Sequence, residues 1–361
     1  MAVAVKYGWL TDEPIITSDG SLVTTDGGVT VARRVLGMYP GSVLLGTSRG
    51  KADGFDVVTI EDLDPTTLVI NLDVIDSVGV FQRLHRTGAE PRIMNFQWIN
   101  PSTFHHPVNF AAMGLSYAMF PTFCAGERTA VEVREVARKW TVPTLADRVR
   151  VAWADLGVRA EMVRPRQATD IPVVLYPAIS TIARKQPQAF VEIVEAVAKQ
   201  TPIRVHARLN TTALASETAM YLSRQKWANV APLAKGRAEY WDELSRVTAY
   251  VATATEEAYG LEYVEALMAG AVGILPDRPW ARRLVPDGYP FLYEGKAQAE
   301  QMLLRAVTSP DQCRAEVDAV AARALGTSTT SGALQAWIQA NHNVADFDEQ
   351  FKAQVAEWFG Q

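Results

Sequence analysis

The chain has 361 residues and a mass of 39.6 kDa, which at roughly 100 to 200 residues per domain predicts two domains of similar size. Hydrophobic residues make up 48% and charged residues 21%, apolar material enough for two buried cores, so disorder, collagen and coiled coil are excluded. With 35 basic against 40 acidic residues, a formal net charge of -5 and no block of like charge, nothing signals dominant phosphate-backbone binding, and a local basic groove stays open.

Cys124 and Cys313 are too few and too far apart for a disulfide framework or a thiolate metal site and read as reduced cytosolic thiols. The N-terminus opens on a strand pattern without the zones of a signal peptide. Between Ile93 and Gly126 no charged residue occurs, yet Pro101, Pro107 and Pro121 interrupt the apolar runs before any reaches the ~20 residues of a membrane span. A cytoplasmic protein with no integral membrane segment is expected.

In the first half, short apolar runs at 3–7, 42–45, 67–72, 92–96, 116–120 and 148–153 predict strands. Helical spacing at 29–37, 75–87 and 130–140 predicts the helices between them, with Gly37 and Gly88 as stops. Strands alternating with helices predict a parallel, doubly wound sheet. The pattern restarts after a polar, proline-bracketed stretch at 165–172. Strands are expected at 173–176, 203–207, 249–253 and 272–275, and helices at 187–199, 217–226, 238–246, 262–269 and 297–307. This predicts a second doubly wound domain, the two facing a cleft, with ligands beyond the carboxyl ends of the strands. A Ser/Thr/Gly patch at 326–332 precedes a helical stretch, 333–359, whose Trp337, Phe347, Phe351 and Val355 predict helices packed back on the N-terminal domain. The expected division is 1–168, 169–330 and 331–361, an α/β architecture throughout.

The segment 250–275 reads YVATATEEAYGLEYVEALMAGAVGIL. A strand runs into a turn holding Glu257, Ala258, Tyr259 and Gly260, then into a helix containing Glu265. Such a turn and helix N-terminus offer backbone N–H groups and a positive dipole end where a phosphate sits. Glu257 and Glu265 stand seven residues apart, one before the helix and one about a turn inside it, so both are expected to point into one cleft around a diphosphate. Carboxylates beside phosphate suit sugar hydroxyls, and a sugar nucleotide meets both needs.

This spacing, Glu-Ala-Tyr-Gly-Leu and then Glu-Ala-Leu-Met-Ala-Gly, resembles the signature of retaining GT-B glycosyltransferases, especially the large family 4. The resemblance implies two Rossmann-like domains. It also implies that Glu257 contacts donor-sugar hydroxyls, that Glu265 binds the nucleotide ribose, and that the amides of Tyr259, Gly260 and Leu261 meet sugar and diphosphate. Val272 stands where the family has Pro, a departure that touches turn geometry more than chemistry. Asp26-Gly27-Gly28 is similar to the family's glycine loop, which approaches the donor phosphates, although a Gly-Gly is also an ordinary turn. The segment 173–189 is similar to the region where an Arg and a Lys bind diphosphate. Lys185 matches that Lys, while Ser180 stands near the expected Arg and Arg184 takes its place. Two cations would then offset the leaving diphosphate as a metal does elsewhere. Where the family brings a histidine to the donor sugar, this chain reads Gln97-Trp98-Ile99-Asn100, and His105 and His106 are the nearest imidazoles.

The implied activity is metal-independent, retaining transfer of glucose or a relative from a nucleoside diphosphate sugar, UDP-glucose first among them, to a hydroxyl acceptor. No cofactor beyond that co-substrate is expected. The acceptor stays open between small molecule, protein, lipid-linked glycan and hydroxymethylated DNA base. A phage-type DNA or virion-protein acceptor is carried because the central loop departs from the usual bacterial cell-wall enzymes; for DNA, net acidity argues against and Arg128, Arg134, Arg138 and Lys139 on one predicted helix argue for, although a solvated helix face is the default. The alternatives are a GT-B sugar-nucleotide epimerase and a noncatalytic sugar-nucleotide or glycan-binding module. Asp62-Leu63-Asp64 and Asp346-Phe347-Asp348 have the spacing of metal-dependent transferases but no phosphate loop beside them, and read as solvated faces. No zinc or calcium spacing, dinucleotide glycine fingerprint or nucleophile elbow is present.

Overall fold

The structure, a computed structural model, describes residues 1–7, 22, 27–86, 88 and 90–360. Two compact units divide the chain, one of residues 1–156 with 345–361, the other of residues 157–344.

The first unit is built on an eight-stranded sheet. Its strands are β1 (Val3–Lys6), β2 (Val43–Leu45), β3 (Gly50–Ala52), β4 (Phe55–Val58), β5 (Leu68–Asn71), β6 (Arg92–Gln97), β7 (Thr122–Cys124) and β8 (Val151–Trp153), in the order β3-β4-β2-β1-β5-β6-β7-β8. Among the described residues only the β3–β4 pair is antiparallel. β1 and β5 are buried at every position, as expected for strands covered on both faces by crossover helices. Lys6 ends β1 fully buried, its charge met by Asp76 at 2.7 Å.

The expected strand at 116–120 is corrected. The helix Pro107–Met119 runs through that segment, and β7 takes the place in the sheet. Pro107 supplies a preset φ at the helix start, and Met113, Gly114, Ser116 and Tyr117 form the buried face at helical rather than strand spacing. The helix packs tightly on Glu127–Trp140, where a Cβ on Gly114 would lie 3.0 Å from the Trp140 side chain. A charge-free apolar run cannot by itself separate strand from helix.

The last helix, Val344–Phe359, belongs to this first unit. Its Phe347, Phe351 and Val355 enter the core beside Phe96 and Phe123, with Phe351 and Phe123 edge to face at 4.9 Å. The stretch expected to be helical from 333 to 359 is broken at His342 and Asn343, and its earlier part, Ala333–Asn341, stays with the second unit.

The second unit carries a six-stranded, wholly parallel sheet. Its strands are β9 (Val173–Tyr176), β10 (Arg204–Leu209), β11 (Ala228–Pro232), β12 (Val247–Val251), β13 (Val272–Pro276) and β14 (Leu292–Tyr293). The order β11-β10-β9-β12-β13-β14 is the 3-2-1-4-5-6 order of the dinucleotide-binding sheet, whose topological switch point lies between the first and fourth strands. That point falls between β9 and β12, so the loops leaving their carboxyl ends, 177–186 and 252–260, lie side by side.

Candidate functional site

At this switch point the β9 loop closes in a short 3-10 turn, Ala183–Lys185, and Gln186 takes a left-handed conformation, φ 48°, before the helix Pro187–Ala198. The β12 loop is stitched to it. The Thr255 amide donates to the Arg184 carbonyl at 2.8 Å, and the Thr253 hydroxyl to the Lys185 carbonyl at 2.8 Å. These bonds bring Arg184 and Lys185 against Glu257.

Glu257, 5% exposed, accepts from Lys185 Nζ at 2.5 Å, Arg184 Nη1 at 2.9 Å and the Tyr263 hydroxyl at 3.0 Å. Lys185, 6% exposed, also donates to Glu262 at 2.7 Å. Burial alone would pull the Lys185 ammonium down, but the carboxylates of Glu262 and Glu257 more than offset it and hold the group above the ordinary lysine value. Burial likewise opposes ionisation of Glu262, and Lys185 overcomes it, so that carboxyl lies below its usual range. Two cations and two carboxylates thus form a charge-balanced cluster in which the lysine stays cationic. Arg184 Nε is buried without a hydrogen-bond partner among the described residues.

Gly260 caps the helix Leu261–Met268 at φ 89°, and a Cβ there would lie 2.7 Å from the Tyr263 ring. Only glycine fits both the left-handed backbone and that approach. The N-terminus of this helix lies beside the cluster, the end of a helix that favours anions, with the Tyr263 amide donating to the Gly260 carbonyl at 3.1 Å. Tyr259 turns its side chain away, sharing a 2.9 Å hydrogen bond with His342 Nδ1. Burial, with repulsion from Arg283, lowers the His342 imidazole to about 4.

One turn into the helix, Glu265 is 3% exposed and hydrogen-bonded to Arg237. Burial pushes its carboxyl above the usual range, with Arg237 pulling the other way. Arg237 rests over the Tyr240 ring at 4.8 Å.

The structure therefore brings Glu257, Glu265, Arg184, Lys185, Tyr259, Gly260 and Leu261 to one edge of the second sheet. Gly27 and Gly28 open the helix Gly27–Met38 of the first unit; Asp26 lies outside the described residues. His105 and His106 are exposed on the approach to the helix Pro107–Met119, also in the first unit. Sequence reasoning missed Glu262, Tyr263, Arg237 and the Tyr259–His342 link. The first two sit inside the motif and were legible by helical spacing, whereas Arg237 lies 28 residues from Glu265 with no local signal.

Asp62 is bonded to Arg49 and Thr59, Asp64 to Thr66, and Asp348 to Arg34. Among the described residues no group of three or more His, Cys, Asp or Glu gathers to hold a metal ion, and no helix is long and apolar enough to cross a membrane.

Both doubly wound units, with the terminal helix returned to the first, make a GT-B fold, and solved GT-B glycosyltransferase structures match the chain over nearly its whole length. The sucrose-phosphate synthase of Thermosynechococcus elongatus matches at TM-score 0.67 and 11% identity, covering 99% of this chain and 99% of that one. The trehalose-6-phosphate protein of E. coli bound with UDP-2-fluoro glucose matches at TM-score 0.65 and 11% identity, over 98% and 99%. The α,α-trehalose 6-phosphate synthase of Burkholderia multivorans matches at 0.61 and 12%, over 99% and 96%. No family model and no curated protein matches the sequence. At these identities the likeness is one of fold.

Proposed function

We propose that the chain is a metal-independent, retaining glycosyltransferase that moves a sugar from a nucleoside diphosphate sugar, UDP-glucose or a relative, to a hydroxyl acceptor. The observation that carries this reading is the buried Arg184–Lys185–Glu257 cluster at the switch point of a dinucleotide-type sheet, with Glu265 one turn further along the adjoining helix. The GT-B fold supports it, as does the UDP-2-fluoro glucose bound to the E. coli neighbour.

In this reading Lys185 and Arg184, with the first-turn amides of Leu261–Met268, meet the diphosphate. Their charges stay balanced by Glu257 and Glu262 until a donor arrives, so the cations are in place and need no reorganisation as negative charge builds on the leaving group. Glu257 accepts from donor-sugar hydroxyls and Glu265 from the ribose. The bond from the anomeric carbon to the phosphate oxygen breaks as the bond to the acceptor oxygen forms. The nucleoside diphosphate leaves with the electron pair and takes the acceptor's proton.

Acceptor chemistry is narrowed by charge. The first unit holds 21 acidic and 15 basic residues. Of the four basic residues on Glu127–Trp140, Arg128 pairs with Glu132 and Arg134 bonds the Val151 carbonyl. A polyanionic DNA acceptor is disfavoured on that ground.

Calorimetry with UDP and UDP-glucose, in chelator, tests the reading. Glu257→Ala is expected to lose affinity for the sugar nucleotide while binding UDP nearly as the parent does, and Glu265→Ala to lose both. A carboxylate accepting such bonds contributes roughly 1.5 to 3 kcal/mol. If Glu257→Ala loses UDP as badly as Glu265→Ala, or if neither is impaired, the motif does not hold a sugar nucleotide. Donor binding with neither transfer nor hydrolysis would leave a binding module.

A further inference from the structure

Glu262 already stands where an anion would. It is the acidic residue in the first turn of the helix Leu261–Met268, a position that the helix dipole favours for any carboxylate. Its bonds go further than that general preference. One carboxylate oxygen accepts from Lys185 Nζ at 2.7 Å, and the carboxylate also accepts from its own backbone N–H. A side chain of this protein thus takes up the two kinds of donor, a lysine ammonium and an amide at a helix start, that otherwise serve a phosphate.

Lys185 is shared between two carboxylates of different standing. Glu257 has a side chain only 6% exposed and is held by Arg184 and Tyr263 as well, whereas the Glu262 side chain is 34% exposed. Glu262 is therefore the more open of the two, and an anion that reaches Lys185 from solvent meets this carboxylate beside it. Arg184 acts on Glu262 through its charge without a hydrogen bond. Arg184, Lys185, Glu257 and Glu262 together sum to no net charge, so every negative charge on a ligand enters a site with no surplus side-chain cation to match it.

We infer that Glu262 is a specificity residue that makes this site hold a nucleoside diphosphate sugar in preference to the free nucleoside diphosphate, so that the donor stays and the product leaves. The inference rests on the transferase reading for the words donor and product, while the charge effect of Glu262 on a bound anion stands on its own. Joined to a sugar, the terminal phosphate carries one negative charge. Freed by transfer, it first holds the acceptor's proton, then sheds it to solvent above about pH 6 and carries nearly two. The added charge appears on the phosphate that Lys185 meets, next to the Glu262 carboxylate, and like charges in a partly desolvated site repel more strongly than in water. Donor and product therefore feel Glu262 to different degrees, and the product feels it more.

Calorimetry on the full chain at pH 8 tests this with UDP, the methyl ester of its terminal phosphate and UDP-glucose, in the parent, in Glu262→Gln and in Glu262→Asp. The ester has the charge of the sugar nucleotide without the sugar. Glutamine keeps the size of the side chain and an acceptor for Lys185 at a partly exposed position, so the variant is expected to fold, and its melting temperature checks it. Glu262→Gln is expected to tighten UDP about tenfold and the ester and UDP-glucose by no more than about threefold, solvent screening at a partly exposed carboxylate keeping both effects modest. Glu262→Asp keeps the charge and is expected to stay close to the parent for all three ligands. Equal tightening of UDP and its ester, no tightening of UDP, or an aspartate variant that behaves as the glutamine one overturns the inference. Inorganic pyrophosphate separates the two readings. A parent protein that binds neither UDP nor UDP-glucose overturns the transferase reading, and pyrophosphate binding that Glu262→Gln tightens in that case upholds the charge effect.

Discussion

Lowering the pH through the histidine range should destabilise the second unit because of His342. The imidazole is 5% exposed, bonded to Tyr259, and flanked by Trp337 with ring centroids 5.5 Å apart and by the Arg283 charge. Burial lowers it from 6.5 to about 4. A depressed folded value means that the unfolded chain takes the proton first. The stabilisation is whole above pH 6.5 and drains away as pH falls towards about 4, below which both states are protonated. A shift of that size is worth about 3 kcal/mol, at 1.36 kcal/mol per unit, or roughly 6 to 12 °C in melting temperature for a unit of this size. Carboxylates also titrate in this range, so the measurement is a difference. Urea unfolding of the parent and of His342→Gln, followed from pH 7.5 to 4, should give curves that converge by about 3 kcal/mol as pH drops. Curves that stay parallel within about 0.5 kcal/mol would refute the assignment of a buried neutral imidazole. Because Tyr259 sits two residues from Glu257, the same descent should loosen the loop and weaken UDP-glucose binding.

Lys185→Met should cost about 2 kcal/mol, since it leaves the buried Glu257 with only Arg184 and Tyr263 and takes the cation from Glu262. Adding Glu257→Gln should recover at least 1 kcal/mol in a double-mutant cycle by urea unfolding, and strict additivity would deny the cluster. As the Lys185 ammonium is raised, its contribution is full below the ordinary lysine value and is lost only above it, so the cycle should read the same at pH 7 and pH 9. Glu265→Gln has the opposite character. Its carboxyl is raised by burial, so ionisation works against the fold as pH rises through that value, and the variant should match or exceed the parent's stability at pH 7.5 while binding UDP at least tenfold more weakly. A loss above about 2 kcal/mol in that variant would contradict it. Gly260→Ala should cost about 2 kcal/mol or more, from the left-handed backbone and the Tyr263 contact, which thermal unfolding would register; a neutral effect would mean that the turn can relax.

Periodicity along the chain recorded what each segment can do locally. Val173–Tyr176 was readable as a strand and Leu261–Met268 as a helix, because apolar residues recur at the spacing each backbone requires. The motif residues Glu257, Gly260 and Glu265 were legible for the same reason, since a turn, a cap and one helical turn lie within nine consecutive residues. The segment 116–120 was not legible. Its apolar run suits either element, and the choice fell to packing against Glu127–Trp140, where Gly114 admits the close approach. Nor could the sequence say what Lys185 touches. Glu257 lies 72 residues away, and the two meet because β12 inserts beside β9, a pairing set by the whole sheet. Arg237 reaches Glu265 and Phe351 reaches Phe123 in the same manner. Local pattern decides backbone state, whereas charge neutralisation in a buried site depends on neighbours that only long-range strand order and core packing supply.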